Sequence, residues 1–209
     1  MNYKSYTLHT SKGNTRFQFQ SIGRRGTFEK VILLDLLDDD IYNLALLDYN
    51  PVSQKYSDLS ITDNGDMPEI LATVIKAITA FLNQYQNKKV YFEGSTRSRT
   101  RLYQIAINKV YNSNNQGLII RGLKNEEWHP FEPNINFEGF LIKKRFNLDE
   151  INFIGMKVSE KNNKMAGNRG IIYDPSLDNL PLPQIALEKA AKARETLKKN
   201  PIPSQFKRN

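Results

Sequence analysis

Near the middle of the chain lies a short stretch whose residue types suit the binding of an anion: Gly94, Ser95, Thr96, Arg97, Arg99 and Arg101. Residues 90–93 before it have the composition of a strand, and the arginines begin a helical pattern. The first turn of a helix offers backbone amides without partners and a partial positive charge, and guanidinium groups add paired donors. We therefore predict an anion-binding site at Ser95, Thr96, Arg97 and Arg101.

Arg99 differs from the other two arginines in its predicted direction. Successive residues of a helix are about 100° apart, and this phase places three apolar residues on the inward face: Leu102, Ala106 and Val110. Arg99 lies on the same face, whereas Arg97 and Arg101 point toward solvent. A guanidinium group that faces the core needs a carboxylate, backbone carbonyls or a ligand anion. Arg99 is therefore predicted to be structural or paired with a ligand, and a buried ion pair is the favoured interpretation.

Basic residues are concentrated at the C-terminal end. The chain of 209 residues has a net charge of +8, and residues 182–209 contribute seven basic and two acidic side chains. A helix is predicted at about residues 184–199, and its basic residues are candidate contacts for a polyanion: Lys189, Lys192, Arg194, Lys198 and Lys199. Such an extension suits nucleic acid or an acidic protein partner, and a solvated end that keeps the chain in solution would have the same composition.

Several classes of chemistry find no support in the residues. The chain has no cysteine, which excludes disulfides, thiolate metal sites and cysteine nucleophiles. Asp38, Asp39 and Asp40 are favoured as a hairpin turn over a metal site, because no second group of ligands accompanies them. His9 and His129 are far apart and have no serine or carboxylate pattern around them. We predict no catalytic residue, metal or cofactor and favour a non-enzymatic role.

Hydropathy gives an expectation about location. No apolar run approaches the roughly 18 residues that a membrane-spanning helix needs, and the first residues lack the apolar core of a signal peptide. We expect a cytoplasmic protein without a membrane partner, and the sequence leaves the oligomeric state open.

Apolar periodicity predicts an α/β (α+β) fold. Residues 28–37 and 42–47 are apolar runs on either side of a turn and are predicted to be neighbouring strands of an antiparallel meander. Asp66 and Glu69 have the spacing of a capping box, and apolar residues recur at helical spacing after them. We predict a core domain of residues 1–145, with a mostly antiparallel mixed sheet and two main helices packed on it. Residues 146–209 are predicted to be a basic extension with one short helix, whose small apolar residues favour a place on the surface or on a partner.

Several short motifs are spread over the first two-thirds of the chain: Ser21-Ile22-Gly23, Tyr42-Asn43-Leu44-Ala45, Asn64-Gly65-Asp66, Gly94-Ser95-Thr96 with Arg99-Thr100-Arg101-Leu102-Tyr103, and Trp128 with Phe137 and Phe140. In these motifs the stretch from Tyr3 to about Arg145 resembles an uncharacterised bacterial domain family of unknown function. The resemblance implies a domain boundary near residue 145 and carries no activity.

The order of strands and helices also resembles that of the acetyl-CoA-dependent GNAT acyltransferases. In that superfamily a glycine-rich loop before a helix binds pyrophosphate, and here the corresponding stretch is Asp63-Asn64-Gly65-Asp66-Met67-Pro68. Two aspartates repel pyrophosphate, and Pro68 removes an amide donor. This resemblance therefore implies at most a degenerate acyltransferase.

Three functions stand as hypotheses. The first is a non-catalytic binding module for nucleic acid or another polyanion, for which a defence or toxin–antitoxin system is one context. The second is a structural or assembly protein, such as a phage-type virion component, that uses the C-terminal residues to hold a partner. The third is the degenerate acyltransferase.

Overall fold

The computed structural model describes residues 4–58, 63–112, 117–145 and 170–207. Within these residues ten strands form one mixed sheet: β1 Leu8–Thr10, β2 Arg16–Gly23, β3 Gly26–Asp38, β4 Ile41–Asn50, β5 Lys55–Ser57, β6 Lys89–Phe92, β7 Leu118–Lys124, β8 Glu127–Pro130, β9 Gly139–Lys144 and β10 Ile171–Tyr173. The helices are α1 Met67–Gln84, α2 Arg97–Asn112, α3 Gln184–Lys199 and α4 Ser204–Lys207, with a 3-10 turn at Pro175–Leu177. Residues 146–169 of the predicted extension lie outside the described residues.

The strands lie in the order β10-β1-β2-β3-β4-β6-β9-β7-β8, and β5 pairs with β4. Only two pairs within this sheet are parallel, β1 with β10 and β4 with β6. The meander of β2, β3 and β4 is antiparallel, with Ile32 opposite Phe17 and Leu46. The predicted mostly antiparallel mixed sheet is therefore confirmed.

The apolar run of β3 has a simple cause, because both faces of the sheet are covered. Ile32 and Leu34 point into the larger core, which α1 and α2 cover. Val31 and Leu33 point to the opposite face, where Ala186 of α3 packs on them. The protein thus has helices on both sides of one sheet.

Helix α3 packs on this second face through small side chains. Ala186, Ala190 and Ala193 are all buried. Alanine lets a helix backbone come close to a sheet, so a stripe of small residues can bury a helix that lacks large apolar side chains. The predicted helix at 184–199 is confirmed, but the expectation that it lies outside the core is wrong. Ile202 and Phe206 after it extend the same cover over Tyr91 and Leu141.

Crossovers bring distant parts of the chain together. Helix α1 connects the parallel strands β4 and β6, and α2 connects β6 to β7, which lies beyond β9. At the far edge β10 adds to β1, with Leu8 opposite Ile171.

No helix of the described residues is long and apolar enough to cross a membrane.

Candidate anion-binding site at the start of helix α2

The turn between β6 and α2 is held by hydroxyl groups. The Thr96 hydroxyl accepts a hydrogen bond from the Arg99 amide at 3.3 Å and thereby caps the helix. The Thr100 hydroxyl accepts from the Gly94 amide at 3.1 Å and donates to the Thr96 carbonyl at 3.2 Å. A Cβ atom at Gly94 would lie 2.3 Å from the Thr100 nitrogen, so the close approach of turn and helix requires glycine. Thr96 is thus already used in building the site.

The buried face of α2 agrees only in part with the predicted one. Thr100, Gln104 and Ile107 are buried, whereas Leu102 is only half-buried. Gln104 is satisfied because its amide donates to the carbonyl of Ile135. Of the predicted inward residues, Ala106 is buried and Leu102 packs at the edge of the core, whereas the side chain of Val110 lies outside the described residues. The buried face therefore extends to hydrogen-bonded polar residues at positions that apolar periodicity assigns to solvent.

Arg99 consequently lies at the edge of the core. Its side chain is half-buried, and its Nη1 donates to the Ser95 hydroxyl at 3.0 Å. Tyr103 packs nearby: burial raises the pKa of Tyr103 to about 12, while the charge of Arg99 opposes this shift and that of Asp58 adds to it. The hydrogen bond between Arg99 and Ser95 therefore lies on the inner side of the turn.

Arg97 and Arg101 lie on the solvent side of α2, as the helical phase predicts. Both side chains are exposed, and neither forms an ion pair with a carboxylate of the residues that the structure describes. They are four residues apart, so they project from neighbouring turns of the same side of the helix. These two guanidinium groups remain available for an external anion.

Two acidic residues lie beside the turn, and lysines of α3 pair with both. The Lys189 ammonium is 3.0 Å from the Asp58 carboxylate, and the Lys192 ammonium is 2.8 Å from that of Glu93. Glu93 also accepts a hydrogen bond from the Tyr91 hydroxyl at 2.8 Å. The negative charges nearest the turn are thus neutralised from within the chain.

The structure therefore divides the five predicted basic contacts of α3. Lys189 and Lys192 come close to the turn but form internal ion pairs. Arg194 donates instead to β3, from Nη2 to the Leu36 carbonyl at 2.7 Å and from Nε to the Leu37 carbonyl at 3.2 Å. Lys198 and Lys199 are exposed, without an ion pair to any described carboxylate.

Sequence reasoning missed Asp58, because its pairing with Lys189 spans 131 residues.

The Asn64-Gly65-Asp66 motif serves the fold. Asp66 occupies the N-cap of α1, but its side chain makes no capping hydrogen bond, so the predicted capping box is wrong. Its carboxylate instead accepts hydrogen bonds from the hydroxyls of Tyr6 and Ser21, both at 2.6 Å. The Asn64 amide group donates to Ser21 and to the Gly26 carbonyl. These contacts bind the β2–β3 hairpin to the start of α1.

Acidic residues elsewhere are also used internally. Asp40, from the predicted hairpin turn, pairs with the buried Lys89. The described residues contain no group of three or more histidine, aspartate or glutamate side chains that could hold a metal ion.

Comparison with known proteins places the chain in a family without giving it an activity. No curated protein and no solved structure matches it. A family model described as a family of unknown function matches residues 2–145, which include the whole turn and α2. The chain therefore belongs to the family of unknown function DUF6934.

Proposed function

We propose that this protein is a non-catalytic binding module for nucleic acid or a comparable polyanion, with Arg97 and Arg101 as its main phosphate contacts. The observation that carries the proposal is the exposure of both guanidinium groups on one side of α2 without a carboxylate partner in the described residues. Arg99, by contrast, bonds to Ser95 on the inner side of the same turn.

The spacing of the two arginines suits a chain of phosphates. Side chains four residues apart on a helix have Cβ atoms about 6 Å apart, and long guanidinium side chains at that distance can contact neighbouring phosphates of one strand. The helix start adds favourable dipole charge and backbone amides. The net charge of +8 favours the approach of any polyanion.

The role of α3 in this proposal is limited by its internal contacts. Three of its basic residues make contacts within the chain. Lys189 and Lys192 pair with acidic residues beside the site, and Arg194 binds the helix to the Leu36 carbonyl of β3. Lys198 and Lys199 remain as secondary contacts. The same packing gives less support to an assembly protein whose C-terminal residues hold a partner, because Ala190, Ile202 and Phe206 are already buried.

The test is binding of fluorescently labelled RNA and DNA, followed by anisotropy at low salt. The wild-type protein is expected to bind at least one of them, and the double variant Arg97→Ala/Arg101→Ala is expected to bind at least tenfold more weakly, since charge-assisted hydrogen bonds are roughly twice as strong as neutral ones. The matched control Lys198→Ala/Lys199→Ala removes the same charge elsewhere and should retain most of the affinity. Failure of the wild type to bind either nucleic acid, or a larger loss in the control, contradicts the proposal.

A further inference from the structure

A groove of about 660 Å³ lies on a different part of the molecule, beside the C-terminal part of β3 at residues 33–36. It is enclosed by the turn between β1 and β2, by β3, and by residues 177–182, which lead from the 3-10 turn toward α3. Arg16 and Lys12 line it together with Leu33, Leu36, Leu180 and Leu182. None of the residues that line this groove belongs to α2 or to the turn before it.

Arg16 is the unusual residue of the groove because its charged side chain is buried. Only 4% of the residue is exposed. Its Nη2 donates to the carbonyls of Leu180 at 3.2 Å and Pro181 at 2.7 Å, whereas its buried Nη1 has no hydrogen-bond partner. No carboxylate in the described part of the chain forms an ion pair with it. A buried guanidinium group held only by carbonyls is costly, and an anion is the partner that would compensate it.

Asp178, the acidic residue of the groove lining, forms hydrogen bonds with groups other than the Arg16 guanidinium. The Asp178 carboxylate accepts hydrogen bonds from the Lys12 amide at 2.7 Å and from the Tyr173 hydroxyl at 2.5 Å. These two hydrogen bonds lower the pKa of Asp178, so the carboxylate stays ionised where it is. The groove keeps two cationic groups, those of Arg16 and Lys12, against this one acid.

Leucines form much of the remaining wall of the groove, and three of them are exposed to solvent. Leu36 is 46% exposed, Leu180 44% and Leu182 37%, and the buried Leu33 also lines the groove. Three exposed leucines around one groove form an apolar surface larger than single scattered residues would give. Apolar walls with a small number of polar or charged groups are typical of sites for small organic molecules.

We propose that this groove binds a small carboxylate with an apolar body, with the carboxylate on Arg16 and the alkyl part along Leu36, Leu180 and Leu182. A guanidinium group matches a carboxylate in bidentate geometry, which would give Nη1 the partner it lacks. Because Nη1 is buried, binding requires the carbonyls around the guanidinium group to rearrange, and in this proposal the carboxylate replaces the Leu180 carbonyl, the longer of the two contacts to Nη2. This site is independent of the polyanion site on α2.

The test uses octanoate as the probe, with octanol and acetate as matched ligands that lack the charge or the alkyl chain. Octanoate at about ten times its Kd should raise the Tm of the full chain by about 3 °C, because a ligand that binds only the native state stabilises it. Octanol and acetate at the same concentration should have little effect. Arg16→Met should weaken octanoate binding by tenfold or more, measured by calorimetry.

A second variant guards against a folding defect in Arg16→Met. Leu182→Asp changes an exposed residue of the rim and places a negative charge beside the ligand, so it should also weaken octanoate binding at least tenfold while the protein stays folded. The proposal is overturned if octanoate does not raise the Tm, if octanol raises it equally, or if Leu182→Asp binds octanoate as tightly as the wild type.

Discussion

The ammonium group of Lys189 lies 3.0 Å from the carboxylate of Asp58, and both side chains are largely buried, with 18% and 11% exposed. Lys189 belongs to α3, beyond the residues that the family model matches, and Asp58 directly follows β5 within them. The boundary near residue 145 stays a prediction. The sheet and its covering helices nevertheless draw on residues from both sides of it, so α3 is a structural part of this fold.

Removal of Lys189 should destabilise the protein. Lys189→Ala leaves the Asp58 carboxylate largely buried without its cation, and we expect the free energy of unfolding to fall by about 2 kcal/mol, below the range for fully buried pairs. Lys198→Ala, on the exposed side of the same helix, should change it by less than about 0.5 kcal/mol. Urea denaturation of the two variants measures both values. Equal stability of both would contradict a structural role for the Lys189–Asp58 pair.

The turn before α2 should be intolerant of a side chain at Gly94. A Cβ atom there would lie 2.3 Å from the Thr100 nitrogen and 2.7 Å from the carbonyl carbon of Arg99, both in the backbone. Gly94→Ala is therefore expected to lower the free energy of unfolding by about 1–3 kcal/mol, as overpacking does. Gly13→Ala is the control, because its nearest neighbour would be 3.6 Å away. A Gly94→Ala protein as stable as the Gly13→Ala protein would show that the turn can open without cost.

Tyr6 should make stability depend on alkaline pH. Burial and the hydrogen bond to Asp66 raise the pKa of Tyr6 to about 12. The pKa of a tyrosine in the unfolded chain is about 10. The folded protein holds this proton more tightly, so the stabilisation is complete below about pH 10 and is lost as the pH rises from about 10 to 12. Tyr6→Phe lacks the hydroxyl. The difference in unfolding free energy between wild type and Tyr6→Phe should therefore be constant up to about pH 10 and then shrink. A difference that stays constant to about pH 12 would show that the pKa of Tyr6 is not raised in the folded protein.

Local patterns predicted the elements that depend on local residues. The apolar runs of β3 and β4 and the apolar face of α1 identify these elements without any knowledge of their neighbours. The predicted buried face of α2 includes the buried Ala106 but misses Thr100 and Gln104, because these two residues are buried through hydrogen bonds with Gly94 and Ile135 and hydropathy assigns such residues to solvent. Polar residues that are satisfied inside a protein carry no periodic signal.

Long-range contacts account for most of what the sequence left open in the candidate site. Arg97 and Arg101 could be assigned to solvent from helical phase alone, whereas the internal use of Lys189 and Lys192 depends on how α3 crosses the sheet. The burial of Arg16 depends on carbonyls more than 160 residues away in sequence. From composition alone, all of these residues are expected to be surface cations, because composition contains no information about which acids or carbonyls lie near them.

The most direct test of the polyanion site is the salt dependence of binding for the wild type and for Arg97→Ala/Arg101→Ala. Each phosphate contact on duplex DNA contributes about 0.9 to the slope of log Kobs against log salt concentration, and on a single strand about 0.7. Loss of both arginines should therefore reduce the magnitude of the slope by about 1.8 on a duplex or about 1.4 on a single strand, while Lys198→Ala/Lys199→Ala changes it less. A double variant with the wild-type slope would show that Arg97 and Arg101 do not contact phosphates, and the account of this site would be wrong.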